Sequence, residues 1–311
     1  MTQFTDLYKK DLELFKDIPQ DPELFQNILN VEGRDQKEQM AALKEMTVYR
    51  VMKLEHFLSW CDSNQNVLVP AEWWDDPWER ALFRNPINVC NRLSINANDF
   101  EFYGQCWSLE KEESDVTWRI FKANDCRSVR VGVNAWDLYE CFTSYCDKLS
   151  GGQYSQHSCF AGLVKYMEEP DIVKVLSELH FEECLTNAAP SLVETLYIKR
   201  KAFVHEKEFR LVYYYATNDS LVEDSSIPSN LCGDAVPVLE PDKDKLIKFD
   251  FPVSEIKSVT IGPEVTHCPC ELGKRKMECK KLVAQLTKKG VSRDVIDVSR
   301  IYDFPEIPIN Y

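Results

Sequence analysis

The chain is 311 residues long, 44% hydrophobic, with a formal net charge of -14. That length and apolar content suffice for one large core with appended helices. The charge argues against broad attraction to nucleic-acid backbone or anionic membrane, which needs clustered Lys and Arg. No apolar run approaches the roughly 20 residues that span a bilayer. The opening stretch MTQFTDLYKKDLELF also lacks the apolar core of a signal peptide. A cytoplasmic protein without membrane association is expected, and its 12 cysteines are expected to be reduced thiols, because a chain of this size needs no covalent staples.

In chain order, Phe4, Leu7, Tyr8, Asp11 and Phe15 follow helical spacing, with one polar interruption at Asp11. Asp21-Pro22-Glu23 reads as an N-cap, a first-turn proline and a dipole-matching acid, opening a helix with Leu24, Phe25, Ile28 and Leu29 on one face. A further short helix ends near Met46. The expected organisation is a helical N-terminal extension over 1–46 and a single α+β domain over 47–311.

Thr47 to Met52 is the first strand, followed by a helix from Leu54 to Cys61, a strand from Val67 to Pro70, a tryptophan-rich loop from Trp73 to Glu79, and a strand from Phe102 to Ser108. Val129 to Val133 alternates as a strand, and Asn134 is placed to cap a helix from Ala135 to Tyr145. Ser150-Gly151-Gly152-Gln153 punctuates the middle. Beyond it the pattern gives an extended piece at Leu163 to Met167, helices at Asp171 to Phe181 and Ser191 to Ala202, and a strand from Phe209 to Tyr215. Asp219 to Asp244 reads as a surface loop. Strands at Leu246 to Phe251 and Val259 to Gly262, a helix from Leu272 to Lys289 and a strand from Val295 to Ile301 complete the chain. The expected class is α+β, a central mixed or mostly antiparallel sheet with flanking helices.

With ten glycines, neither GxGxxG nor GxxxxGK[ST] occurs, and GxSxG and HExxH are also missing from the sequence. The strongest local signal is Glu206-Lys207-Glu208-Phe209-Arg210. In an extended segment residues two apart share a side, so Glu206, Glu208 and Arg210 can converge on one face. A solvated edge strand with a Glu208–Arg210 pair is the plainer reading. Glu72-Trp73-Trp74-Asp75-Asp76-Pro77-Trp78-Glu79 gathers indoles and carboxylates without a calcium-loop spacing. There Asp76 is expected to start a turn while the tryptophans anchor the loop. His267-Cys268-Pro269-Cys270 with Cys279 matches no firm zinc pattern, and no metal site is assigned. The cationic stretch from Lys274 to Lys289 reads as a solvated helix face.

Taken in order, Val48-Tyr49-Arg50, Asp75-Asp76-Pro77-Trp78-Glu79, Cys106-Trp107-Ser108, Trp118-Arg119-Ile120-Phe121 and Lys201 through Arg210 resemble a bacterial family catalogued as domain of unknown function 2971, often found near phage-defence genes. The resemblance runs from about Thr47 to Ile301. The sequence departs from the family at Asp75, where Asn is usual, and at Phe121, where Tyr often stands. More remotely, Arg50, Ser108 and Glu206-x-Glu208 fall in the order of the arginine-serine-glutamate ADP-ribosyltransferases.

That likeness implies an ADP-ribosyltransferase-like fold and NAD as the glycosyl donor. Arg50 would hold a phosphate or ribose of NAD, and Ser108 would position the nicotinamide ribose. Glu208 would stabilise the oxocarbenium-like transition state, and Glu206 would orient or deprotonate the acceptor. Trp107, Trp118 and Arg210 would complete the cofactor site. The implied protein is an NAD-dependent ADP-ribosyltransferase or NAD-cleaving effector of anti-phage defence or a toxin system. A protein partner or phage-derived trigger would activate it, and the acceptor would be a protein or a nucleic acid. Two other readings stay open: a metal-dependent nuclease or hydrolase using Asp75, Asp76, Glu79, Glu206 and Glu208, and a non-catalytic phage-sensing or adaptor protein with aromatic anchors.

Overall fold

In a computed structural model the described residues are 27–33, 35–79, 81, 87–89, 93–95, 100–121, 127–150, 157–177, 190–216, 246–263 and 272–303. The first elements are β1 (Asn27–Leu29), α1 (Gln36–Glu45), β2 (Thr47–Lys53), α2 (Leu54–Ser63) and β3 (Gln65–Pro70). A small hairpin, β4 (Ile87–Val89) and β5 (Leu93–Ile95), precedes β6 (Phe100–Ser108), α3 (Asp115–Phe121), β7 (Ser128–Asn134) and α4 (Ala135–Ser150). Then come β8 (His157–Leu163), β9 (Lys165–Met167), α5 (Glu169–Ser177), α6 (Pro190–Thr195), β10 (Ile198–Arg200) and β11 (Glu208–Ala216). The last are β12 (Ile247–Asp250), β13 (Ile256–Ile261), α7 (Leu272–Lys288) and β14 (Ile296–Val298).

Among the described residues the main sheet has ten strands, in the order β1-β8-β11-β6-β2-β7-β13-β14, with β3 joining β6 to β12. Most pairings are antiparallel, while β1–β8 and β13–β14 are parallel. The expected α+β class with a central mixed sheet flanked by helices is what the chain adopts. Strand β6 has β11 along one side, whereas its other side is shared. Tyr49 of β2 faces Ser108 at one end, and Val69 and Pro70 of β3 face Gly104 and Tyr103 further along.

Alternation along the strands separates two cores. Val129, Val131 and Val133 of β7, Phe209, Leu211 and Tyr213 of β11, and Trp107 of β6 face the larger one. Phe57 and Trp60 of α2, Leu138 and Phe142 of α4, and Leu282 and Leu286 of α7 pack there too. The opposite face carries Phe102, Phe160, Val212 and Tyr214 under Val193, Leu196 and Tyr197. This second face bears the charged residues discussed below.

Asn134 caps α4 as expected, its Oδ1 accepting from the N–H groups of Trp136 (2.9 Å) and Asp137 (3.1 Å). Asp76 starts a turn, accepting from the Trp78 N–H at 3.0 Å. Three expectations need correction. Ile28 and Leu29 belong to β1 rather than a helix, and Leu43 of α1 is fully buried in the main core, so 1–46 is not a purely helical extension set apart from the domain. The helix expected over 191–202 stops at Thr195: β10 pairs with β9, and Lys201–Glu206 forms a 3₁₀ turn. Cys61, Cys106, Cys141 and Cys279 form no disulfide, but Cys159 is disulfide-bonded.

The helices expected before residue 27, the punctuation at 151–153, the loop at 219–244 and the His267–Cys270 cluster lie outside the described residues. No described helix is long and apolar enough to cross a membrane.

Candidate functional site

Strand β11 opens with Glu208, which stands directly opposite Ser108 of β6, and Ser108 in turn stands opposite Tyr49 of β2. These three share one face. Residue Lys207 sits just before the strand with φ of 44°, a left-handed conformation that ends the preceding 3₁₀ turn. Glu206 therefore belongs to the turn rather than the strand. It still meets Glu208, because Lys199 of β10 reaches both.

The Lys199 ammonium donates to Glu206 Oε2 at 2.6 Å and to Glu208 Oε1 at 2.5 Å, and lies 3.3 Å from Glu79. Behind it the Arg210 guanidinium has no exposed surface. It donates to Glu208 Oε2 at 2.7 Å, to the Leu196 carbonyl at 2.5 Å and to Glu79 Oε1. The Trp74 ring lies 4.6 Å from that guanidinium. Tyr166 accepts from the Glu208 N–H at 2.8 Å, and Ser108 Oγ donates to the Glu206 carbonyl at 2.7 Å. The Asp76–Arg200 pair at 3.0 Å ties the tryptophan-rich loop to β10. Buried charges persist only where partners compensate them, and here each carboxylate meets a cation.

The two glutamates are driven apart in acidity. Burial pushes the Glu206 carboxyl up to about 7, aided by a hydrogen bond with Glu208 and opposed by Lys199. Glu208 is held well below the ordinary carboxylate range; burial alone would raise it, but Arg210, Glu206 and Lys199 together outweigh burial. Burial likewise works against the Lys199 charge, and Glu208 and Glu79 overcome it, leaving the ammonium firmly protonated. One group is thus a fixed anion, and its neighbour holds an exchangeable proton near neutrality. Of the pair, only Glu206 keeps appreciable contact with solvent, its side chain 30% exposed against 7% for Glu208.

No family model matches this chain, and no curated protein or solved structure does either. The likenesses to the family of unknown function and to the transferases stand on the quoted motifs alone.

Of the residues those motifs single out, the fold unites Ser108, Glu206, Glu208 and Arg210. Arg50 is not in that group. It pairs with Val131 one position beyond Tyr49, so its side chain leaves β2 on the face opposite Ser108 and Glu208. There it is half-buried, and the loss of solvation lowers its basicity, Cys106 partly opposing this.

Trp107 is buried in the main core opposite Phe209, its indole N–H donating to Gln105 at 2.7 Å, and so it has no ring face turned to Glu208. Trp118 is buried on α3, donating to Glu113 at 3.0 Å, beside Gly262 after β13 and well along the sheet from β11. Stacking by either indole on a ligand at Glu208 is therefore not what the fold provides.

Two central residues were not legible as site residues, Lys199 and Tyr166. The only sequence signal for Lys199 is a cation set between Tyr197-Ile198 and Phe203, in a stretch too short to read as a strand. The carboxylates of a metal hydrolase are present in part, but Lys199 and Arg210 stand between Glu79 and Glu208, and Arg200 neutralises Asp76. Among the described residues no group of three metal-ligating side chains forms.

Proposed function

We propose that the chain cleaves or transfers an N-glycosidic bond, with NAD as donor, at the Glu206–Glu208 pair, as an effector of bacterial anti-phage defence or of a toxin system. One observation carries this reading: a single lysine bridges two carboxyl groups of opposed acidity at the opening of β11. Glycosidic cleavage needs such a division of labour, an ionised carboxylate to stabilise positive charge on the sugar and a second group to move a proton. Glu208 supplies the fixed negative potential, and the more exposed Glu206 exchanges the proton with the acceptor. Ser108 holds the Glu206 backbone, and Tyr49 and Ser108 extend the face on which the ribose would rest. The phosphate-binding role suggested for Arg50 is not part of this proposal, because the strand turns that side chain away.

The test is nicotinamide release from NAD by the purified chain, with and without candidate protein and nucleic-acid acceptors. The Glu206→Gln variant should lose about 10²–10⁴-fold in rate, the usual worth of a positioned acid or base, while its thermal unfolding stays close to that of the parent. Equal release by parent and variant would remove the enzyme reading.

A second reading rests on the full burial of Arg210. The network would be an interior lock that fixes the 71–79 loop and β10 onto β11, and the protein would act by binding a partner or phage-derived trigger. Under that reading no NAD turnover is seen with any acceptor, and protection against phage survives Glu206→Gln.

A further inference from the structure

Helix α7 and the edge strand β14 enclose an open groove of about 990 Å3, on a different part of the sheet from the glutamate pair. Its floor is formed by Cys279, Val283 and Val298, all partly buried against the main core. Lys276, Lys280, the exposed Ala284 and Lys288 recur every four residues, so they form one ridge that winds along α7 over roughly 18 Å at 1.5 Å per residue. Arg300 closes the groove from beyond β14.

None of these four cations has a side-chain ion pair or hydrogen bond to any described residue. The other charges in the groove are largely satisfied: Arg275 is bound to Asp303 and the Ser299 carbonyl, and Arg293 to the Ile296 carbonyl. Asp297 is a further carboxylate, and it accepts from the Val298 N–H. A chain of net charge -14 thus gathers around an apolar floor four cations that have no ion pair among the described residues.

That combination selects among anionic ligands. Among the described residues no aromatic side chain lines the groove, so they offer no platform for stacking the bases of a single strand. Duplex phosphate would use the lysines but leave the apolar floor unused, and the acidic body would repel it at long range. A protein segment with apolar residues on one side and carboxylates on the other satisfies both floor and rim.

We propose that this groove docks an acidic, amphipathic segment of a partner protein. Its apolar side chains lie on Cys279, Val283 and Val298, and its carboxylates meet Lys276, Lys280, Lys288 and Arg300.

Fluorescence anisotropy with the full chain and three labelled probes tests this: a short helical peptide with leucine on one face and glutamate on the other, poly-glutamate of the same charge, and a DNA duplex of arbitrary sequence. The amphipathic peptide should bind saturably and at least about tenfold more tightly than the other two, a difference of about 1.4 kcal/mol. The Lys276→Glu/Lys280→Glu variant should weaken it about tenfold, as should Ala284→Glu, which places a carboxylate within the lysine ridge at an exposed position that leaves folding intact. Absence of peptide binding, equal binding of poly-glutamate or duplex, or affinity unchanged in both variants would overturn the proposal.

Discussion

At the scale of single residues, the decisive group is Lys199, an ammonium largely removed from water and shared by Glu79, Glu206 and Glu208. The cost of burying it is offset chiefly by its attraction to Glu208 and Glu79, and the opposed acidities of Glu206 and Glu208 link the cluster to pH. Glu206 has its folded pKa raised to about 7, so between the unfolded value near 4.5 and that point the folded state keeps a proton the unfolded chain has lost. Its contribution to stability is full below the unfolded value and declines as pH rises toward neutrality. Glu208, held low, behaves oppositely: its contribution is present above the unfolded value and is lost on acidification. Urea unfolding midpoints at mildly acidic and neutral pH should therefore show the parent losing about 1–2 kcal/mol more than Glu206→Gln as pH rises. Parallel profiles for the two proteins would show that Glu206 carries no excess proton. The convergence of Glu206, Glu208 and Arg210 was legible from spacing alone. Their common partner was not, because Lys199 is brought in by β10, and whether Tyr49 or Arg50 meets Ser108 depends on a register that adjacent residues do not reveal.

At the scale of elements, local chemistry was readable wherever a segment satisfies itself. Asn134 ends β7 and caps α4 with its own side chain, and both elements were legible because the apolar alternation of Val129, Val131 and Val133 changes to helical spacing at that residue. Replacing Asn134 by Ala should cost about 1 kcal/mol or slightly more, since its Nδ2 also donates to the Lys44 carbonyl at 2.6 Å and so joins α1 to α4. A Ser substitution, which keeps the cap but not the tie to α1, should recover part of that loss in thermal unfolding. Equal losses for Ala and Ser would assign the effect to the α1 contact. The segment 190–206 failed as a sequence reading for the opposite reason. Val193, Leu196 and Tyr197 carry helix-like spacing, but β10 exists through its pairing with β9, a partner about thirty residues earlier that no local pattern announces.

At the scale of the whole molecule, the question is how the residues before Thr47 belong to the fold. Helical spacing and an N-cap signal suggested an appended helical piece, yet Asn27–Leu29 adds a parallel strand at the outer edge of the sheet, beyond β8. Gly162 makes that approach possible: a Cβ there would collide with the Leu29 carbonyl and its neighbouring atoms, all on or close to the backbone, where nothing flexible can give way. Asn30, in a left-handed conformation at φ of 59°, then turns the chain and donates from Nδ2 to the Leu163 carbonyl at 2.8 Å. Strand β8 is also the neighbour of β11, so the docking of β1 supports, at one remove, the strand that opens with Glu208. Substituting Gly162 by Ala should displace β1 and cost about 1–3 kcal/mol. Amide exchange at 27–29 should accelerate strongly while β7 and β13, at the other side of the sheet, keep their protection. Unchanged exchange at 27–29 would mean that β1 is held by something other than this close approach. Uniform acceleration across all strands would instead make β1 part of a single cooperative unit with the core.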